Sequence, residues 1–188
     1  MKVLVVFDHP RRNSFGGAIL DELVAGLGEA GHGVEIADLY REGFDPRMIE
    51  ADEPDWGNPQ KRYSEAVLAE QARVERADAI VFVFPVWWWS VPAMTKGWID
   101  RVWNHGWAYG GGKLKLSRAM MVATGSSDAD SYAKRGYDAA MRTQLLTGVL
   151  KYCGTENVDL VLMLDATGAA EIRAGHLAEA RRLGREFA

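Results

Sequence analysis

Cysteine is almost absent from the sequence: Cys153 is the only one in 188 residues. An internal disulfide framework and a cysteine-based metal site are therefore excluded. Lying in the apolar run Val149 to Cys153, it reads as a small core residue. The four histidines, His9, His32, His105 and His176, are far apart and form no H-x-x-H or H-E-x-x-H pair. Net charge is −4 and no block of Lys and Arg stands out, so nucleic acid and anionic membrane surfaces are poor partners. No apolar run approaches the roughly 20 residues needed to span a bilayer. The opening Val3–Phe7 run is too short for a signal segment and is followed at once by Asp8-His9-Pro10. The expected location is the cytoplasm. G-x-G-x-x-G, the P-loop and the G-x-S-x-G elbow are all missing, which argues against a Rossmann fingerprint, a Walker loop and a hydrolase triad.

What is present is an alternation. Short β-branched runs at Val3–Phe7, Val34–Leu39, Ala79–Phe84, Met120–Ala123 and Val158–Leu164 read as buried strands. Between and after them, helical patterns cover Ser14–Gly28, Tyr63–Ala77, Pro92–Trp103, Ala139–Tyr152 and Ala169–Phe187, with Ser14 as an N-cap and Pro92 near N1. Asp45–Arg62, with Pro46, Pro54 and Pro59, reads as a surface excursion. No repeat and no second core pattern appears, so residues 1–188 are expected to form one domain. The alternation predicts an α/β protein with a five-stranded parallel sheet, helices on both faces, doubly wound like flavodoxin. Ligands of such sheets lie outside the carboxyl ends of the strands.

That rule singles out three loops. The first, Asp8 to Phe15, leads into a helix N-terminus with small residues, a ready anion site to which Ser14, His9 and Arg11 or Arg12 could add donors. Its plainer reading is an N-cap beside a strand-end histidine. The second holds Pro85, Val86, Trp87, Trp88 and Trp89. Three consecutive indoles cannot all enter one core, so at least one faces solvent or a planar ligand; packing on a neighbouring helix or a second subunit is the alternative. The third, Thr124 to Tyr132, offers Thr124, Gly125, two serines and phenols at Tyr132 and Tyr137, or else is an ordinary Ser/Asp/Gly turn. Asp128 and Asp130 read as solvated. Three polar and aromatic loops without a metal or nucleophile motif suggest a cofactor that brings its own chemistry.

FPVWWWSVPAMTKGWIDRVW, from Phe84 to Trp103, resembles the F-P-x-Q-W-F/Y-x-x-P-x-x-x-K-x-W-x-D/E-K/R-V-F/W signature of the NAD(P)H:quinone oxidoreductases of the DT-diaphorase type. HPRRNSFGGAI (His9–Ile19) resembles their opening, and DLYREGFDP (Asp38–Pro46) their next motif. NHGWAYGGG (Asn104–Gly112) is most similar to the short bacterial members, among them the ancillary flavoproteins of glutathione-gated potassium efflux systems. The resemblance covers nearly the whole chain in the expected order.

It implies a flavodoxin-like homodimer with a non-covalent flavin in each of two sites at the dimer interface, NAD(P)H as hydride donor, and a quinone-like acceptor reduced by two electrons in ping-pong fashion. Chain length points to FMN, with FAD as the alternative. By the same resemblance His9, Ser14 and Phe15 hold the flavin phosphate region. Pro85, Val86 and Trp87–Trp89 run along the ring, and Thr124, Gly125 and Tyr132 close over its polar edge. Tyr132 and Tyr137 are the implied catalytic positions, and Trp88 with the partner-directed Tyr109 the substrate contacts. Trp87 stands where the family usually has Gln. Trp98 and Trp103 are expected in packing or dimer contacts. Two rival readings are a regulatory subunit bound to a potassium efflux antiporter in the membrane and a one-electron flavodoxin carrier.

Overall fold

The three central strands, at residues 2–7, 79–85 and 118–124, are apolar on both sides because helices cover both faces of the sheet. The computed structural model describes residues 1–58 and 60–187; Pro59, one of the three prolines of the excursion, lies outside the described residues. The strands are β1 (Lys2–Phe7), β2 (Gly33–Asp38), β3 (Ala79–Pro85), β4 (Arg118–Thr124) and β5 (Val158–Met163). All pairings are parallel, in the order β2-β1-β3-β4-β5. The long helices are α1 (Phe15–Glu29), α2 (Glu65–Glu75), α3 (Ala93–Val102) and α6 (Ala170–Arg185).

Alternation along each strand sorts the core into two layers. Leu4, Val6, Ile80, Phe82, Phe84, Met121 and Ala123 face one way and pack with Trp98, Val102 and Trp103. Val3, Val5, Phe7, Val81, Val83, Met120 and Val122 face the other and pack with Leu23 and Leu27. Trp98 and Trp103 are thus core residues, ring edges against Phe82. Cys153 is buried, and burial pushes its thiol pKa up to about 11, which leaves it an unreactive packing group at neutral pH. On the second face α1 and α6 cross closely: a side chain at Gly26 would overlap the Arg181 carbonyl, and one at Gly184 the Leu23 carbonyl.

The structure departs from the sequence reading in three elements. The stretch expected as a loop through Tyr132 contains a short helix, α4 (Ala129–Arg135), capped by Asp128, whose carboxylate accepts from the Ser131 N–H at 2.7 Å. The helix expected from Ala139 starts earlier, as α5 (Tyr137–Met141), and continues as a π-helix, Arg142–Lys151, whose wider turn keeps Leu145 and Leu150 on the buried side. Pro92 is the N-cap of α3 and has no capping side chain of its own.

The excursion after β2 is tied to α3. Arg101 donates to Asp52 at 2.6 Å and also to the Asp45 carbonyl, and Ser64 donates to the same Asp52 carboxylate from its N–H (2.8 Å) and hydroxyl (3.0 Å). Both charged side chains of the Arg101–Asp52 pair are buried. Among the described residues no helix is long and apolar enough to cross a membrane.

Candidate active site at the carboxyl edge of the sheet

Register fixes where the loops emerge. Pro85 pairs with Thr124, so β3 and β4 end level and release Val86 and Gly125 side by side, while β1 ends at Phe7 opposite Val83 and releases Asp8 two residues earlier on the same edge. Chain order reverses between β1 and β3, so the crevice of a doubly wound sheet falls here.

From β1, the chain turns through Ser14 into α1. Ser14 caps the helix, its hydroxyl oxygen accepting from the Gly17 N–H at 3.2 Å. The N–H groups of Phe15 and Gly16 have no intrahelical acceptor. His9 accepts a bond from the Arg11 N–H at its Nδ1 (3.0 Å), so the proton of the neutral ring sits on Nε2. Burial, helped by the Arg11 charge, lowers the His9 pKa, which keeps the ring neutral and that N–H a donor. The His9 ring and the Ser14 hydroxyl both flank Gly16. Arg12 is engaged with Asp21 and the Gly17 carbonyl. The result is a cluster of donors suited to phosphate oxygens.

From β3, the three tryptophans form a two-residue hairpin turn. Trp87 and Ser90 exchange both backbone bonds, at 3.3 and 3.2 Å. Trp88 and Trp89 at the tip have φ of 52° and 54°. Two consecutive left-handed bulky residues cost roughly 1–2 kcal/mol each. The turn leaves the Trp88 and Trp89 N–H groups without a backbone partner among the described residues. Trp88 is 88% exposed, Trp87 is exposed, and Trp89 lies over Tyr137 with ring centroids 4.1 Å apart. Val86 ties the turn to the next strand through its N–H and the Thr124 carbonyl, at 2.8 Å.

From β4, Gly125 and Ser127 are held by the chain after β5: Gly125 accepts from Ala166 at 2.9 Å, and Ser127 from Asp165 at 3.0 Å. The Tyr132 hydroxyl lies 3.0 Å from where a side chain would begin at Gly125 and has no hydrogen-bond partner among the described residues. Burial raises the Tyr132 pKa, so the hydroxyl stays a donor. Tyr132 and Tyr137 meet edge to face at 5.9 Å.

The structure therefore brings His9, Ser14, Phe15, Pro85, Val86, Trp87–Trp89, Thr124, Gly125, Tyr132 and Tyr137 to one edge. Tyr109 is not among them. It lines a cavity of about 1140 Å³ with Ala77, Asp78 and Lys115, beside the amino ends of the strands. There it approaches Trp56, His105 and Tyr152, with Trp56 69% exposed. Asp128 and Asp130 are exposed, and no group of three or more metal-binding side chains occurs among the described residues.

Arg173 of α6 escaped the sequence reading. Its guanidinium lies over the Phe15 ring at 4.9 Å, beside a groove of about 330 Å³ lined by Asn13, Ser14, Ala170 and Leu177. Nothing local to Arg173 signals this, because α1 and α6 meet only through the tertiary fold.

A family model described as a flavodoxin-like fold matches residues 1–185. An uncharacterized NAD(P)H oxidoreductase of Escherichia coli, YcaK, is 39% identical over 163 residues, covering 86% of this chain and 83% of that protein. The chain belongs to the flavodoxin-like NAD(P)H:quinone oxidoreductase family. Rat ribosyldihydronicotinamide dehydrogenase (quinone) is 34% identical over 177 residues, covering 81% of this chain and 77% of that one. The NAD(P)H:quinone oxidoreductase of Methanothermobacter marburgensis superposes with a TM-score of 0.92 at 32% identity, over 100% of this chain and 96% of the other.

Proposed function

We propose that the protein is a flavin-dependent NAD(P)H oxidoreductase that reduces quinones or similar electrophilic acceptors by two electrons. The observation that carries this reading is the set of unpartnered donors on one edge: Phe15 and Gly16 N–H, Trp88 and Trp89 N–H, and the Tyr132 hydroxyl. A phosphate end fits the first pair and the polar rim of a planar ring the others, so the residues suit a flavin. Bound there, it would supply the two-electron redox chemistry, receiving hydride from NAD(P)H and passing the electrons to the acceptor.

The chain's own part is positioning and charge. His9, Ser14 and Phe15 bind the phosphate. Pro85, Val86 and Trp87–Trp89 shape the ring's bed, with Trp88 left free to cover an acceptor or nicotinamide. Thr124 and Gly125 set the opposite rim. Tyr132 donates to oxygens that gain negative charge on reduction, where a preorganised donor contributes most. Tyr137 supports Trp89 and offers a second phenol.

The groove beside Ser14 and Phe15, the residues proposed for the phosphate, is lined on its other side by Arg173 and Leu177 of α6. It supports FAD over the FMN expected from chain length, because an adenylate would occupy it. The exposed Trp56 and Tyr152 rings beside the half-buried Tyr109 support a homodimer in which Tyr109 serves the partner's site. The antiporter-subunit reading gains no support from the relatives named above.

Steady-state kinetics with NADPH and a soluble benzoquinone test the proposal. Parallel double-reciprocal lines are expected, because donor and acceptor use one site in turn. Intersecting lines would contradict a shared pocket.

A further inference from the structure

Helix α3 carries the tryptophan turn at its start, yet nothing local caps it. Pro92 occupies the N-cap without a side-chain bond. The capping acceptor comes from 87 residues earlier. Asp8, the first residue beyond β1, accepts at Oδ2 from the Thr95 N–H at 2.8 Å and from the Thr95 hydroxyl at 2.6 Å. Its own N–H donates to the Val83 carbonyl at 3.0 Å. Asp8 is 0% exposed, and its second oxygen, Oδ1, has no hydrogen-bond partner among the described residues.

This is a costly way to cap a helix. A buried carboxyl with one empty oxygen is penalised by lost hydration, and burial raises the Asp8 pKa accordingly. A local cap would be a Ser or Asp at position 92, where this chain has a buried Pro. What Asp8 adds is a link between loops. Its neighbour His9 belongs to the donor cluster at α1. The residue that donates to it, Thr95, lies in the first turn of the helix that anchors the far side of the Trp87–Ser90 turn. The near side is already fixed by the Val86–Thr124 bond. A turn with two left-handed tryptophans keeps its shape only if both flanks are held.

We propose that Asp8 is a positioning residue. By capping α3 it sets the distance and angle between the phosphate-binding start of α1 and the Trp87–Ser90 turn, and so pre-forms the flavin site. This rests on the flavin reading given above. Negative charge at the start of α3 is also favoured by the helix dipole.

Flavin affinity of the apo-protein tests it, by titrating FMN and FAD and following the quenching of their fluorescence, beside thermal unfolding of each apo-variant. Asp8→Asn keeps an oxygen for Thr95 and should bind flavin within about threefold of the unaltered protein. Asp8→Ala, measured below its melting temperature, should bind about tenfold more weakly or worse. If Asp8→Ala does not fold, Thr95→Val removes only the hydroxyl bond. It should weaken binding by about threefold, with Thr95→Ser restoring it. A lowered melting temperature with unchanged flavin affinity in these variants would overturn the inference and leave Asp8 a helix cap only. If the unaltered protein binds neither flavin, the flavin reading itself fails, and this inference with it.

Discussion

The indole of Trp89 lies on the phenol ring of Tyr137, with centroids 4.1 Å apart and planes inclined by 30°. This contact joins the loop after β3 to the helix after α4, and it brings the two sides of the proposed flavin bed together. Tyr137→Phe should keep the stack and the melting temperature. Tyr137→Ala should lose about 0.5–1.5 kcal/mol and raise KM for the acceptor. If Tyr137→Phe instead lowers kcat while stability holds, the hydroxyl takes part in the proton chemistry, and Tyr137 is more than a support for Trp89.

Trp88 separates stability from function. Its left-handed backbone is unfavourable for a bulky residue, and at 88% exposure its ring contributes little packing. Asn tolerates this conformation far better. Trp88→Asn should therefore raise the apo-protein's melting temperature by about 2–4 °C while raising KM for planar acceptors. A KM unchanged across several acceptors would remove Trp88 from the substrate pocket.

The buried Arg101–Asp52 pair predicts a pH signature. Burial alone would raise the Asp52 pKa, but the bonds from Arg101 and Ser64 outweigh it and hold the carboxyl below its ordinary value. A depressed folded-state pKa gives stability that is present above the unfolded value, near 3.8, and is lost as pH falls through the folded value. Asp52→Asn should cost about 3 kcal/mol at neutral pH, since Arg101 is left buried and unpaired. The gap between the two proteins should shrink as pH falls below about 4. Chemical denaturation from pH 7 to pH 3 measures it; a gap that stays constant would show that the charge of Asp52 contributes nothing.

Much of the fold was legible because its signals are local. Val3–Phe7 and Ala79–Phe84 are continuous apolar runs, as double-sided burial requires, and Ser14 at the N-cap announced α1. Helix α4 went unread, because Asp128-Ala-Asp-Ser looks like a polar turn. Its Asp128-to-Ser131 spacing is nevertheless that of an N-cap, and was the available signal. The left-handed turn at Trp88 and Trp89 could not be foreseen, since that backbone is ordinarily given to Gly or Asn. The edge residues were found from the strand-end rule together with the family motif. Asp8 with Thr95, and Arg173 over Phe15, depend on contacts across the chain that no local spacing encodes.

A flavin reducible by NAD(P)H is proposed to sit on this carboxyl edge. The most direct measurement is the visible absorption spectrum of the purified protein before and after anaerobic addition of NADPH, followed by chromatography of the ligand released on heating. The expected result is the two-band spectrum of an oxidised flavin, bleached on addition, with FAD as the released species. A colourless protein that takes up neither FAD nor FMN would contradict it and would leave the three tryptophans as a surface for another macromolecule.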